Sequence, residues 1–223
     1  MKTSESSSTK IVGFDILRAL AIIMLMIHHS EVYGMKLFGV SLEGLLPYFE
    51  AILLGIFFFI SGYFAQRSFQ KQGQSGVSFF LARLLRIFPP YLFALSLYMY
   101  LLEISFKQRD LIIYLTGAHF LFTPNYTKPV VTIWYVSAII LYYLIFGLLL
   151  SNLKSTKGLI IGAVLVYAAA YAIHQWTGLI DERFYKYYIV FLAGILFVRL
   201  SHLSKWLSGE QILPKFAVAL LWL

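Results

Sequence analysis

What most limits how this chain can fold is its recurring apolar runs of roughly 20 residues, the length at which a helix rising ~1.5 Å per residue crosses the ~30 Å hydrocarbon core of a bilayer. Such runs cover Ile11 to Ser30, Leu45 to Ala65, Val131 to Leu150 and Gly158 to Trp176, with shorter ones at Pro90 to Leu102 and Tyr185 to Val198. Composition agrees: the 223 residues are 60% hydrophobic, 18% aromatic and 13% charged, with a mean hydropathy of +0.79. A soluble domain of this size does not ordinarily show such values. The expected fold is all-α, a polytopic helical integral membrane protein with about six complete spans and the start of a seventh.

Residues 1–10 read as a polar, disordered cytoplasmic tail, and residues 11–223 as one transmembrane domain. The first run is not read as a signal peptide, because it is long, contains Asp15 and Arg18, and ends in His-His-Ser-Glu without a small-x-small pattern. The last run, Phe216 to Leu223, is too short to span, so the chain is expected to continue. The formal charge of +8 is scattered among short loops and forms no stripe, which argues against nucleic acid as a partner and for the lipid bilayer. With no cysteine, disulfides, thiol nucleophiles and cysteine metal sites are excluded. An amino terminus on the inner side puts eleven lysines and arginines inside and six outside, with Arg18 inside a span. The positive-inside rule then places the amino terminus in the cytoplasm and the protein in the cell membrane.

Within the first run, the step from Arg18 to His29 is about 1100°, three turns plus roughly 20°, so the two share a helix face about 16 Å apart. Asp15 stands one turn before Arg18 and can pair with it. Ionisable groups are expensive in a span, and a face that gathers three reads as a protein-lined or water-filled site. Histidine is the natural general base there. A metal site is not expected, because adjacent His28 and His29 point about 100° apart and no carboxylate or further histidine stands at helical spacing.

The second run ends in GIFFFISGYF, where Ser61 and Gly62 fit either close helix packing or a site. Arg67 to Gly76 reads as a basic loop. Arg83 and Arg86, one turn apart, can grip phosphate oxygens or anchor to lipid headgroups. Because residues before proline avoid helical geometry, Phe79 to Phe88 is expected to be an interfacial helix that breaks before a third span, Pro90 to Leu102. Leu111 to Phe122 reads as a re-entrant or interfacial piece that puts His119 near the membrane surface, and Trp134, Tyr135, Tyr142 and Tyr143 read as an interfacial belt.

FDILRALAIIMLMIHH, with its arginine, ten residues and histidine, resembles the signature of the membrane-bound acyltransferase family 3. So, in order, do GIFFFISGYFAQRSF, RLLRIFPPYL, TIWYVSAIILYYL and YYIVFLAGILF. The resemblance departs from many members at Ala138, Ile139 and Ile140, where they carry acidic residues, and in having fewer spans. It implies an O-acyltransferase with no bound cofactor and with acyl-coenzyme A, expectedly acetyl-coenzyme A, as cytoplasmic co-substrate. The implied acceptor is a hydroxyl of a surface glycan or its lipid-linked precursor. It assigns Arg18 and His29 to catalysis and Arg83 and Arg86 to donor binding, with Asp15, Ser61, Tyr63 and Trp134 as secondary contacts. The competing readings are a transporter of an anionic substrate, with Arg18 as binding charge and His29 as proton relay, or an inactive truncated member. Nothing in the sequence sets the oligomeric state.

Overall fold

The computed structural model describes residues 12–29, 36–37, 40–41, 46–73, 75–101, 103, 105–122, 125–127, 130 and 133–200. The tail, residues 1–10, and the last apolar run from Phe216 lie outside the described residues. The elements are α1 (Val12–His29), a two-residue hairpin of β1 (Lys36–Leu37) and β2 (Val40–Ser41), α2 (Leu46–Gln72), α3 (Gly76–Leu101), α4 (Gln108–Leu115), α5 (His119–Phe122), α6 (Trp134–Leu148), α7 (Thr156–Thr177) and α8 (Arg183–Arg199). A 3-10 turn, Leu150–Asn152, follows α6. Among the described residues four helices are long and apolar enough to cross a membrane, Glu50–Gln70, Gly76–Leu101, Trp134–Asn152 and Thr156–Thr177. The fold is that of an all-α polytopic membrane protein.

Successive long helices alternate in direction. We call the end of the bundle where α1 begins the near end and the opposite end the far end. α2 is the central helix. Its face with Leu53, Ile56, Ile60 and Tyr63 receives Phe14 and Ala21 of α1, and Phe58 packs among Tyr135 and Tyr142 of α6 and Tyr187 of α8. The α2–α8 pair is the most extensive helix contact. Its closeness depends on glycine: a Cβ on Gly62 would stand 2.0 Å from the Phe191 carbonyl oxygen, and one on Gly194 would stand 2.1 Å from that of Phe59. Ser61-Gly62 therefore divides its labour, the glycine serving helix packing. α3 and α7 are peripheral, with apolar side chains such as Leu85, Phe93, Val164 and Leu165 exposed.

Three expectations are corrected. α3 runs unbroken through Pro89 and Pro90. Both prolines are exposed, and the helix continues despite two missing N–H donors. The loop expected at Arg67 to Gly76 is mostly helix, because α2 extends to Gln72 and turns only at Gly73, whose φ is +58°. Arg67 is held by that extension, its Nη1 donating to the Tyr63 hydroxyl at 3.1 Å. Leu111 to Phe122 is two short helices divided at Gly117, φ +69°, rather than one piece, and His119 is buried within the protein.

Trp134, Tyr142 and Tyr143 are 6%, 0% and 6% exposed, so they form core rather than a belt. An aromatic run on a helix that is apolar all round does not reveal which side meets protein. Ala138 and Ile139 are buried beside them.

Candidate active site

The α1 face that carries Phe14 and Ala21 into the bundle also carries Arg18. Its Cζ lies 4.7 Å from the centroid of the Phe64 ring, and its Nη1 lies 3.9 Å from Asp15 Oδ1. The side chains of Arg18 and Asp15 are 41% and 56% exposed, so this expected pair is loose and leaves the guanidinium largely uncommitted. Arg83, reaching in from α3, donates from Nη2 to the Phe64 carbonyl oxygen at 3.4 Å and lies over the rings of Phe79 and Tyr143 at 5.4 and 5.7 Å. Arg18 and Arg86 are both within electrostatic reach of Arg83. Cations held this close by ring faces and a carbonyl, with one partly exposed carboxylate paired to them among the described residues, make a basin for an anion. Arg86 is exposed on α3, so the two arginines of that helix face different surroundings and do not act as one fork.

Farther along the bundle, the Tyr135 phenol of α6 lies near enough to Ser61 of α2 and to the Arg18 charge to feel both. The Tyr135 ring packs against Phe57 at 5.8 Å and Phe58 at 4.8 Å. At the far end Trp134 is stacked on Phe120, with ring centroids 5.9 Å apart, and carries the Arg183 guanidinium 4.1 Å above its own ring. Arg183 is fixed by a bidentate pair with Asp181, Nε to Oδ1 at 2.8 Å and Nη2 to Oδ2 at 2.6 Å. Sequence reasoning missed Tyr135, Tyr143 and the Asp181–Arg183 pair. No local pattern marks them, since they gain a role only when α2, α6 and α8 meet.

His119 forms a third polar centre. Its ring stacks on Tyr114 with centroids 4.5 Å apart, and its Nδ1 is 3.3 Å from the Tyr91 hydroxyl. That hydroxyl donates to the Tyr114 carbonyl at 2.5 Å, which leaves its oxygen able to accept from the His119 ring. Nε2 is buried without a hydrogen bond. Burial pushes the imidazole down to about 4, with the Ile133 backbone pulling weakly upward and Arg183 lowering it further. His119 is thus neutral at physiological pH.

His29 closes α1, and its side chain lies outside the described residues. Tyr63, 7% exposed, packs on Phe14 at 4.7 Å and accepts from Arg67, which makes it a packing residue of the near half. Among the described residues no group of three histidine or acidic side chains could hold a metal ion.

The model of an acyltransferase domain matches residues 11–223, which takes in every helix described above. The chain belongs to acyltransferase family 3. It is therefore a multi-pass membrane acyltransferase. No curated protein and no solved structure matches it. Within this family member the structure brings Arg18 and Arg83 onto one residue of α2 and leaves Arg86 exposed.

Proposed function

We propose that this acyltransferase moves an acetyl group from acetyl-coenzyme A to a hydroxyl of a surface glycan or its lipid-linked precursor, with the amino terminus in the cytoplasm of a cell-membrane protein. The single observation behind this reading is the convergence of Arg18 and Arg83 on Phe64, which leaves two guanidiniums inside a bundle of apolar helices with little negative charge to offset them. An anionic donor with phosphates is the chemistry that such a basin suits.

The donor enters at the near end, where loop charge favours the cytoplasm, and Arg83 takes its phosphates, with Arg86, exposed on α3, a lesser contact. Arg18, deeper along α1, orients the donor, whose extended arm carries the thioester on towards His29. His29 closes the same helix about 16 Å farther on and serves as general base toward an acceptor arriving from the far end. It removes the proton of the acceptor hydroxyl, whose oxygen bonds to the acyl carbon. The C–S bond breaks, and the proton passes to the departing thiolate to give coenzyme A. Trp134, under Arg183 at the far end, offers the acceptor an aromatic face.

The test is labelled acetyl transfer from acetyl-coenzyme A to envelope glycan by the complete protein in membranes. His29→Ala and Arg18→Ala are each expected to lower transfer at least ~100-fold, the loss usual for a general base or a charge-stabilising group. Undiminished transfer by both variants would refute the assignment of the catalytic face. Anion flux without any transfer by the wild type would favour a transporter.

A further inference from the structure

We infer that Arg67 is a further donor-binding residue, whose guanidinium takes the ribose 3′-phosphate of coenzyme A while Arg83 takes the pyrophosphate. This inference rests on the donor reading of the Arg18–Arg83 basin and divides the donor's phosphates among its arginines. It starts from three rings in mutual contact in the near half of the bundle. Phe14 of α1 lies 4.7 Å from Tyr63 and 5.8 Å from Phe64 of α2, and Tyr63 and Phe64 meet edge to face at 5.2 Å. Arg18 stands 4.7 Å over Phe64, and Arg67 stands 5.9 Å over Tyr63, so two adjoining rings each carry a guanidinium.

Helical side chains lean toward the N-terminus of their helix, so Arg67 reaches back one turn, and its Nη1 donates to the Tyr63 hydroxyl at 3.1 Å. That partner is a hydroxyl, not a carboxylate. Arg18 has Asp15 at 3.9 Å, but no ion pair reaches Arg67 among the described residues. Most of its N–H donors are left over, and its side chain is half-buried. A guanidinium with a ring behind it, a hydroxyl fixing one corner and spare donors in front is a planar fork for phosphate oxygens. Arg67 springs from the last turns of α2, which ends at Gln72, whereas Phe64, where Arg18 and Arg83 meet, lies a turn deeper. The thioester arm leaves the pyrophosphate in one direction and the ribose in the other. With the arm directed past Arg18, the pyrophosphate belongs at Arg83, and the ribose phosphate falls to the arginine nearer the near end.

The plain alternatives are that Arg67 only braces Tyr63, or that it meets a lipid headgroup. Steady-state kinetics of acetyl transfer by the complete protein in membranes, with acetyl-coenzyme A and its 3′-dephospho form as donors, separate them. The wild type is expected to show a KM ~10- to 50-fold higher for the dephospho donor, with kcat within ~3-fold, as one charge-assisted contact is worth. Arg67→Ala is expected to raise KM for acetyl-coenzyme A by a similar factor. It should raise KM for the dephospho donor by less than ~3-fold, because the group that Arg67 binds is already gone. Arg67→Lys keeps the charge without the fork and should recover part of the affinity for acetyl-coenzyme A alone. Equal KM values for the two donors in the wild type would overturn the inference, whatever any variant does. An Arg67→Ala or Arg67→Lys variant whose KM rises alike for both donors would also overturn it, in favour of the brace or the headgroup. In either event, a raised KM for both donors in Arg83→Ala leaves the donor reading standing. Absence of transfer by the wild type would overturn both.

Discussion

Arg18 and Arg83 approach Phe64 from two sides, one with its guanidinium 4.7 Å from the ring centroid and the other with Nη2 3.4 Å from the backbone oxygen. Arg86, a turn beyond Arg83, is exposed. The two arginines of α3 are therefore unequal. Arg83→Ala should raise KM for acetyl-coenzyme A by ~10- to 100-fold, the worth of one or two charge-assisted hydrogen bonds, and Arg86→Ala by less than ~5-fold. Arg83→Lys should restore only part of the loss, since an ammonium cannot reach Phe64 and a phosphate together as a planar fork can. A larger defect in Arg86→Ala would move the donor to the exposed face of α3.

The α2–α8 crossing makes a prediction independent of chemistry. Added methyl groups at Gly62 or Gly194 would collide with the carbonyl oxygens of Phe191 and Phe59 at 2.0 and 2.1 Å, and backbone cannot swing aside as a side chain can. Gly62→Ala and Gly194→Ala should each cost ~1–3 kcal/mol in a detergent unfolding measurement. Gly55→Ala, on the same α2 with nothing within 4 Å of its Cβ, should be neutral or slightly stabilising and serves as the control.

His119 predicts a pH dependence. Its folded value near 4 lies below the ordinary histidine value of 6.5, so below that ordinary value the unfolded chain binds a proton that the folded chain refuses. The contribution is fully present above about pH 6.5 and is lost as pH falls toward about 4, at most ~3 kcal/mol in all. Thermal midpoints measured between pH 7.5 and 4.5 should fall more steeply for wild type than for His119→Phe, which cannot take the proton. Parallel slopes would show that His119 does not carry the effect.

The long helices were legible because an apolar run of spanning length has one structural use, and α2, α6 and α7 lie where such runs are. Their neighbours were not. Tyr135 and Tyr143 look like an interfacial belt until α2 and α3 pack on α6, because a helix apolar on every side carries no sign of which side is protein. Pro89-Pro90 read as a break because the rule for residues before proline is local, whereas the exposed prolines of α3 leave the helix intact. Spacing singled out Arg18, the family resemblance singled out Arg83 for the donor, and their meeting on Phe64 is a tertiary fact that neither carries.

The Asp181–Arg183 pair supplies the last prediction. Asp181 is 5% exposed and takes both the Nε and Nη2 hydrogen bonds of Arg183, as well as its backbone N–H at 3.0 Å. Arg183 is the more accessible partner, with 32% of its side chain exposed, and its other face covers Trp134. Removing the guanidinium takes the counter-ion and two hydrogen bonds from a buried carboxylate, while removing the carboxylate leaves a guanidinium that can turn to water. Arg183→Met should therefore destabilise the protein by ~2–4 kcal/mol, and Asp181→Asn by ~1–2. The double variant should be less destabilised than the sum, because no charge is then left buried. A double-mutant cycle on thermal or denaturant unfolding measures this, and additive losses would mean that the two side chains do not act as a pair beneath the Trp134 platform.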